Sequence, residues 1–428
     1  MATTRAPLNP AELELRYARR LELPEDVCNS ICEAVAVLPR AVAAETFLSL
    51  SLVSRTWSNA AQAALHADPF LSFDAPDTVL PRTFERLSKL LRTLEERPDL
   101  ARSVRRLDLS LYSTRCQTEA RIDRRRISRL SVELVLACPA LQTLSLPFVT
   151  QADKPHLVDA LRQLGLLQTL IIGEGTSSPD PWVINVDIGI KDQWGCARWF
   201  REDFLALCRS WPRLRKLVLE ARLRNRDKDD AVGIAWQLES FELSLLRHGR
   251  LPFRQVDLLL SGCRQGSLRH LNVKEHQLAE GALGEIVEHF GAGLKSLTTL
   301  TADHFTRHDG LFANIAAHCP SLERLHLATP VYDLLGCLET LLQLPHLSEL
   351  TLATVVAPQV PPVNLIARLV ETVGISRSLR SLTLAPGTHH VVDRINTIFL
   401  ARALSEAGHE MREAAPEVSL TILPSWGV

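Results

Sequence analysis

A short apolar pattern, Leu-x-x-Leu-x-Leu, recurs from residue 104 onward and restricts the fold more than any other feature of the chain. The last three residues of each copy alternate apolar, polar and apolar, as in Leu325-His326-Leu327, which is the period of a strand buried on one face. Recurrence at roughly 20–30 residues indicates a repeat architecture, in which each unit buries its apolar side against its neighbours. We place ten copies, which start at Val104, Leu141, Leu167, Leu214, Leu238, Leu268, Leu297, Leu322, Leu347 and Leu379.

Helical stretches lie between these strands, and sharp breaks end them. Apolar residues at helical spacing predict helices at Ser128–Leu136, Pro155–Leu164, Arg198–Arg209, Leu278–Phe290 and Leu311–Ala317. Residues that cannot continue a helix, or that favour a turn, stand two positions before six copies: Pro139, Gly165, Pro212, Gly266, Pro320 and Pro345. The string Phe253–Leu258 fits either a strand or part of a helix. The predicted fold class is α/β, an array with parallel strands on its concave face and helices on its convex face.

The pattern resembles leucine-rich repeats, with one systematic departure. The family motif has Asn or Cys at its ninth position, whereas this chain has other residues there in every copy, such as Tyr112 and Val149. The resemblance therefore implies an irregular solenoid without an asparagine ladder. The phrasing CPxLxxLxL, at Cys138–Leu146 and Cys319–Leu327, is similar to that of fungal members.

A helical segment precedes the repeats. The Leu23-Pro24 step opens a short helix, because proline is favoured in the first turn, and Glu25 and Asp26 complement the positive helix end. A second apolar run continues to Trp57, and Arg55-Thr56 is the expected position of a break between its helices. Three helices of this length bury too little apolar surface to be stable alone, so we expect one face to be covered by a partner.

This segment resembles the F-box, the module through which adaptor proteins bind the Skp subunit of cullin ubiquitin ligases. The stretch from Val35 to Phe47 is longer than in compact members, which leaves the register of the second helix open. An F-box followed by repeats implies a substrate-recognition adaptor; the alternatives are a non-ligase interaction scaffold, or a helical cap on the array. The resemblance assigns Skp binding to Leu23, Pro24, Val27, Ile31, Leu50, Val53 and Trp57.

These features divide the chain into four segments. Residues 1–22 form an N-terminal extension, 23–66 the F-box-like helical module, and 67–103 a connecting or capping segment with a helix at Thr83–Glu96. Residues 104–428 form the repeat array, with an insertion near 173–197 that contains Trp182 and Trp194. We expect those two tryptophans in an exposed loop, and the following Trp199 and Trp211 in the core.

The target protein is expected to bind the polar residues of the concave face. Two arginine-rich clusters, one around Arg124 and the other around Lys216, predict an acidic or phosphorylated target, because guanidinium groups bind carboxylate and phosphate in bidentate geometry. Solvated basic faces and, more weakly, nucleic-acid binding are the alternatives. The candidate target-binding residues are Arg106, Arg124, Arg125, Lys216, Arg222, His270 and Arg324.

Composition argues against several other classes of function. The formal net charge of −1 gives no global attraction to nucleic acid or to an anionic membrane. The first 22 residues lack the apolar core of a signal peptide, and nine scattered cysteines without CxxC pairs indicate reduced thiols, so we expect a cytoplasmic or nuclear protein. Phosphate-binding loops and nucleophile elbows are absent from the sequence, and we expect neither catalysis nor a cofactor. His304 and His308 are the remaining metal-ligand candidates.

Overall fold

Helices and short parallel strands alternate along the part of the chain that the computed structural model describes. That part comprises residues 23–69, 79–109, 121–146, 149–172, 199–220, 223–224, 234, 236–244, 253–263, 266–274, 282–300, 310–331, 333–356, 365–387, 402–410 and 416–422. The chain divides into two units, unit 1 (Met1–Pro147 and Pro155–Leu167) and unit 2 (Phe148–Lys154 and Gln168–Val428). Within each unit, parallel strands pair in the order of the chain, two strands in unit 1 and nine in unit 2.

Unit 1 is mostly helical. Its elements are α1 (Glu25–Val35), α2 (Arg40–Leu50), α3 (Arg55–Ala67), α4 (Val79–Glu96), α5 (Pro98–Ser103), β1 (Arg106–Asp108), α6 (Arg121–Ala137), β2 (Thr143–Leu146) and most of α7 (Lys154–Arg162). We call α1, α2 and α3 the head. The head packs onto α5, and α4 packs on α6, while the Arg105 amide donates to the carbonyl of Ala67 at 2.8 Å.

The head has a core of its own. Cys28, Cys32, Phe47, Trp57 and the small residues Ala43, Ala60 and Ala61 are buried together, with Val35, Leu50, Ala64 and Leu65 packed against them. Helix α1 starts after Pro24, whose carbonyl accepts from the Cys28 amide at 3.1 Å. Helix α3 starts after Ser54, whose side chain accepts from the Trp57 amide at 3.4 Å and so satisfies one free donor of the first turn. The break therefore lies at Ser51–Ser54, just before the predicted Arg55-Thr56.

Unit 2 repeats a strand and a helix. Its strands are β3 (Thr169–Ile172), β4 (Trp199–Phe200), β5 (Lys216–Glu220), β6 (Leu223–Arg224), β7 (Ser240–Ser244), β8 (His270–Lys274), β9 (Ser296–Leu300), β10 (Arg324–Val331), β11 (Glu349–Val356), β12 (Ser381–Gly387) and β13 (Ser419–Ile422). Its helices are α8 (Arg201–Cys208), α9 (Phe253–Leu260), α10 (Ala282–Phe290), α11 (Leu311–His318), α12 (Leu334–Leu341) and α13 (Leu365–Ile375), and residues 402–410 are also helical. Helices α9 to α13 pack on their neighbours in order, while β4 and β6 form a separate pair.

The repeated leucines build the core of unit 2. Leu217 and Leu219 of β5 are buried, and the equivalent residues Leu325 and Leu327 of β10 are buried in the same way. Before β3, β5 and β7 to β11, one carbonyl accepts from two successive amides of the next repeat. The Arg215 carbonyl, for example, accepts from Glu239 at 2.7 Å and Ser240 at 3.0 Å. Burial of one face together with this ladder fixes the register, since a slip by one residue would expose every leucine.

The register corrects one predicted repeat. Leu271 pairs with Leu297, so the copy in β9 starts three residues earlier than predicted, at Leu294. Thr299 then occupies the place of the last leucine, and its side chain is fully buried. Because this core position holds a polar residue, the apolar motif did not identify the true start of the copy. The ambiguous string at Phe253–Leu258 lies in helix α9.

The breaks before the strands match the predicted positions of proline and glycine. Chain turns end α6, α8, α11 and α12 just before the strands that follow Pro139, Pro212, Pro320 and Pro345. Gly266 has a φ of +78°, a left-handed conformation that only glycine adopts without strain. A Cβ added at Gly293 would lie 2.3 Å from the carbonyl oxygen of Gly266, so the two turns are in backbone contact.

We predict that Gly293→Ala destabilises unit 2 by about 1–3 kcal/mol, because the added methyl group must displace backbone rather than a flexible side chain. Urea unfolding followed by tryptophan fluorescence measures the effect. Gly374→Ala is the matched control, since nothing lies within 4 Å of its added Cβ and the site is helical. Equal stability of Gly293→Ala and the wild type would contradict the turn contact.

Most of the described cysteines serve as small core residues. Cys28, Cys32, Cys138, Cys263, Cys319 and Cys337 are buried, and Cys208 is half-buried. Burial raises the pKa of Cys138 and of Cys319 to about 12, so both thiols stay protonated and unreactive. Cys263 has a structural role, because its Sγ accepts from the Leu238 amide at 3.3 Å in the preceding repeat.

Candidate binding surfaces

Helix α1 has two apolar faces. Cys28 and Cys32, four residues apart, point into the core of the head and are almost fully buried. Val27 and Ile31 are also four residues apart, and 37% of the surface of each stays exposed. Side chains at this spacing lie above one another on a helix, so these two residues form an apolar stripe. Leu23, just before the helix begins, is 39% exposed. A helix with a second apolar stripe outside its own core has a surface suited to a partner.

Most of the large apolar side chains that are exposed among the described residues belong to the head. Of eleven large apolar side chains that are exposed there, nine lie between residues 23 and 53, and the others are Leu136 and Leu166. Leu52 and Val53 lie in the turn between α2 and α3 and are 87% and 65% exposed. We call the nine residues the head face: Leu23, Val27, Ile31, Val37, Leu38, Val42, Leu48, Leu52 and Val53.

The structure distributes the seven predicted Skp-binding residues between this surface and the interior. Leu23, Val27, Ile31 and Val53 belong to the head face, and Pro24 is exposed beside them. Leu50 is partly buried against the core, and Trp57 is only 9% exposed within it. In the free chain Trp57 therefore holds the head together from inside, and its direct contact with a partner stays a prediction.

Five members of the head face were not predicted from the sequence: Val37, Leu38, Val42, Leu48 and Leu52. A signal for some of them was present. Val37-Leu38 and Leu52-Val53 lie next to the ends of helices, where polar residues usually dominate, so an apolar pair there is informative. Val42 and Leu48 gave no such signal, because which side of α2 faces the core depends on how the three helices pack.

In unit 2 the polar residues that alternate with the buried leucines face away from the core. We call this side of the sheet the open face. Pairing aligns the first residue of each strand in one row, from Thr169 of β3 through Lys216, Ser240, His270, Ser296 and Arg324 to Glu349 of β11. A second row, two residues further along the strands, contains Glu242, Asn272, Thr298, His326 and Thr351, and also Val218, which is buried.

Three predicted target-binding residues meet in the first row. Lys216, His270 and Arg324 come from β5, β8 and β10, and each is separated from the next by one strand that carries a serine. Lys216 and Arg324 are exposed, and His270 is half-buried. We call these three residues the basic row. Their alignment follows from the register and not from their distance in sequence.

Cations just before the strands are mostly paired, unlike those of the basic row. Arg215 contacts Glu239 at 2.9 Å, Lys295 contacts Glu323 at 2.5 Å, and Arg380 pairs with Glu417. Among the described residues no ion pair within 4 Å engages Lys216 or Arg324. Burial lowers the pKa of His270, and the positive charges of Arg324, Arg269 and Lys216 lower it further, against an opposing effect of Glu323. The basic row is thus a region of positive potential in which His270 is mostly neutral at pH 7.

The other predicted target-binding residues are not brought into this row. Arg106 lies in unit 1 on β1, is exposed, and has its Nε 3.9 Å from a carboxylate oxygen of Asp68. The backbone of Arg124 and Arg125 lies in α6, while their side chains are outside the described residues, as is Arg222. In the first arginine-rich cluster, the exposed Arg129 pairs with Glu133 at 3.1 Å.

Two further expectations can be compared with the structure only in part. Trp211 is 1% exposed and packs near Trp236, with ring centroids 6.2 Å apart, which confirms its predicted place in the core. The insertion with Trp182 and Trp194, and the pair His304 and His308, lie outside the described residues. Within those residues no group of three His, Cys, Asp or Glu side chains could hold a metal ion, and no helix has the length and apolarity that a membrane span requires.

Comparison with known proteins finds similarity to solved structures. No family model matches the chain, and no curated protein matches it in sequence. Among solved structures, the chain is similar to one in the complex of Rad7 and Elc1 in yeast, at 14% identity. The match covers 96% of this chain and 90% of the other, with a TM-score of 0.36.

Proposed function

We propose that the chain is a substrate-recognition adaptor of a Skp–cullin–F-box ubiquitin ligase. In this proposal the head binds the Skp subunit and the open face of unit 2 binds the target protein. The chain itself carries out no reaction; ubiquitin transfer belongs to the ligase partners.

The single observation that carries the proposal is the head face. A three-helix head that already has a core, and yet exposes nine large apolar side chains, keeps much apolar surface in water for so small a module. Burying such side chains against a partner stabilises a complex by roughly 25 cal/mol for each Å² of apolar surface removed from water. Val27 and Ile31 of the stripe on α1, together with Val53, are positions to which the family resemblance assigns Skp binding.

The mechanism that we propose is an increase in effective concentration. A chain that binds the ligase through one surface and the target through another converts ubiquitin transfer into a reaction between tethered partners, which can raise avidity by about 10² to 10⁴ without a new contact. This mechanism requires two independent surfaces. The head face and the basic row meet this requirement, because they lie in different units and share no residue.

Affinity purification tests the proposal. We expect the wild-type chain to co-purify a Skp subunit together with a cullin, and Leu23→Ala/Pro24→Ala to lose both while it retains the target protein. A chain that retains Skp without any cullin would support the non-ligase scaffold instead. Recovery of neither protein with the wild type would contradict the proposal.

A further inference from the structure

The basic row repeats with a fixed period that suggests what it binds. Adjacent strands lie about 4.8 Å apart, so residues two strands apart in the same row are separated by about 9.6 Å. Lys216 and His270 are two strands apart, and so are His270 and Arg324. The intervening Ser240 and Ser296 are half-buried and add hydroxyl groups between the charges. The basic row therefore presents three nitrogen-bearing side chains at intervals of about 9.6 Å.

An extended peptide can match this period when it crosses the strands. The polyproline II conformation has three residues per turn and a rise of about 3.1 Å per residue, so every third side chain lies on one side at intervals of about 9.3 Å. In a β-strand every second side chain lies on one side, so the residue three positions further along points to the opposite side. The spacing of the row therefore fits a polyproline II segment better than a β-strand.

We propose that the basic row binds an extended segment of the target protein that presents an anionic side chain, carboxylate or phosphorylated hydroxyl, at every third residue. This inference rests on the proposed function, since it names the class of target that the open face would recognise. Lysine and arginine supply charge-assisted hydrogen bonds to such groups, and arginine binds them in bidentate geometry.

Acidic residues near the row limit where the segment can lie. Glu349 is next to Arg324 on β11 and is exposed, so it ends the row and repels an anionic group beyond Arg324. Glu242 of β7 lies in the second row, two residues beyond Ser240. The acidic residues that precede the strands, Glu239 and Glu323, are neutralised by their ion pairs with Arg215 and Lys295. The segment is therefore expected to run from β5 to β10 over the first residues of the strands.

His270 makes this binding dependent on pH. In the free protein, burial and the nearby charges of Arg324, Arg269 and Lys216 lower its pKa, while Glu323 opposes them. On the two strands that flank His270, Glu239 precedes β7 and Lys295 precedes β9, so one anion and one cation lie on either side of it. Glu242 is the acidic residue of the second row. A bound carboxylate would raise the pKa of His270. Binding takes up a proton, and the affinity for a carboxylate peptide is expected to increase as the pH falls from 8 to 6.

Fluorescence anisotropy with the full chain tests the inference. The probe is a labelled peptide, Glu-Pro-Pro-Glu-Pro-Pro-Glu, beside an isomer of identical composition with its three glutamates adjacent and a third peptide with phosphoserine in place of glutamate. We expect the spaced peptide to bind about tenfold more tightly than its isomer. Lys216→Gln/Arg324→Gln is expected to weaken that binding about tenfold, and His270→Ala to abolish its pH dependence.

Arg209→Gln/Arg377→Gln is the matched control, because it removes two exposed cations of unit 2 that lie in turns after helices and outside the sheet. It is expected to bind the spaced peptide like the wild type. Tighter binding of the phosphoserine peptide would identify phosphorylated segments as the source of the charge, and preference for glutamate would identify acidic ones. The inference would be overturned if the two glutamate peptides bound equally tightly, or if Arg209→Gln/Arg377→Gln lost as much affinity as Lys216→Gln/Arg324→Gln. Because the probe needs no Skp, this failure is distinct from that of the proposed function.

Discussion

Val27→Asp/Val53→Asp is expected to weaken binding of a Skp subunit at least about a hundredfold. Binding can bury only the 37% of Val27 and the 65% of Val53 that are still exposed, about one whole valine together. That burial contributes roughly 1.5 kcal/mol, and about 1.4 kcal/mol corresponds to a tenfold change in affinity. The two aspartates would in addition place charge against an apolar partner surface, which is unfavourable without a compensating cation. Calorimetric or surface-based titration of the purified chain with the Skp subunit measures the loss.

The free energy of unfolding of this variant should remain within about 0.5 kcal/mol of the wild type, as for surface substitutions in general. Val53 lies in a turn and is 65% exposed, and Val27 is in the first turn of α1, where an aspartate interacts favourably with the helix dipole. Leu136→Asp is the matched control, because Leu136 is an exposed leucine of unit 1 on α6, outside the head. Loss of Skp binding in this control, or its retention in the double variant, would contradict the assignment of the head face.

Trp57→Ala is expected to destabilise the head by about 3–5 kcal/mol, since it removes the largest side chain of the head core. This variant lowers Skp affinity for a different reason: it reduces the fraction of folded head and leaves the head face unchanged. Hydrogen exchange at the amides of α1 and α2 measures the destabilisation directly. An excess of Skp should restore protection, because a partner that binds only the folded state shifts the folding equilibrium.

Trp57→Phe serves as the control for this prediction, because it retains an aromatic side chain in the core and should cost less than the alanine variant. Wild-type protection of α1 and α2 in Trp57→Ala would show that Trp57 does not support the head. Wild-type protection with lost Skp binding would instead assign Trp57 to the head face, as the family resemblance implied.

The repeat strands could be predicted from sequence because each strand buries the same residues of a six-residue motif. Leu217 and Leu325 occupy equivalent positions, and both are buried. The prediction failed locally in β9, where Thr299 replaces a leucine and is nevertheless buried, and its hydroxyl has no hydrogen-bond partner among the described residues. A rule based on apolar residues cannot identify a core position that a polar residue fills.

The binding surfaces were less accessible to sequence reasoning. In the sequence, Trp57 continues the three- and four-residue spacing of Phe47, Leu50 and Val53, but the turn at Ser51–Ser54 separates two helices, whose buried faces are set independently. Val53 is therefore exposed while Trp57 is buried. The basic row depends on pairing between strands from five different repeats, so the alignment of Lys216 with His270 and Arg324 required the register of the sheet.

Isothermal titration of the intact chain with a purified Skp subunit, at several temperatures, tests most directly whether the head face is completed by another polypeptide. Burial of apolar surface on binding gives a negative change in heat capacity. We predict saturable binding of one Skp per chain with such a change, and loss of both in Val27→Asp/Val53→Asp. Absence of binding by the wild type, or binding that the double variant retains with an unchanged heat capacity, would contradict the account.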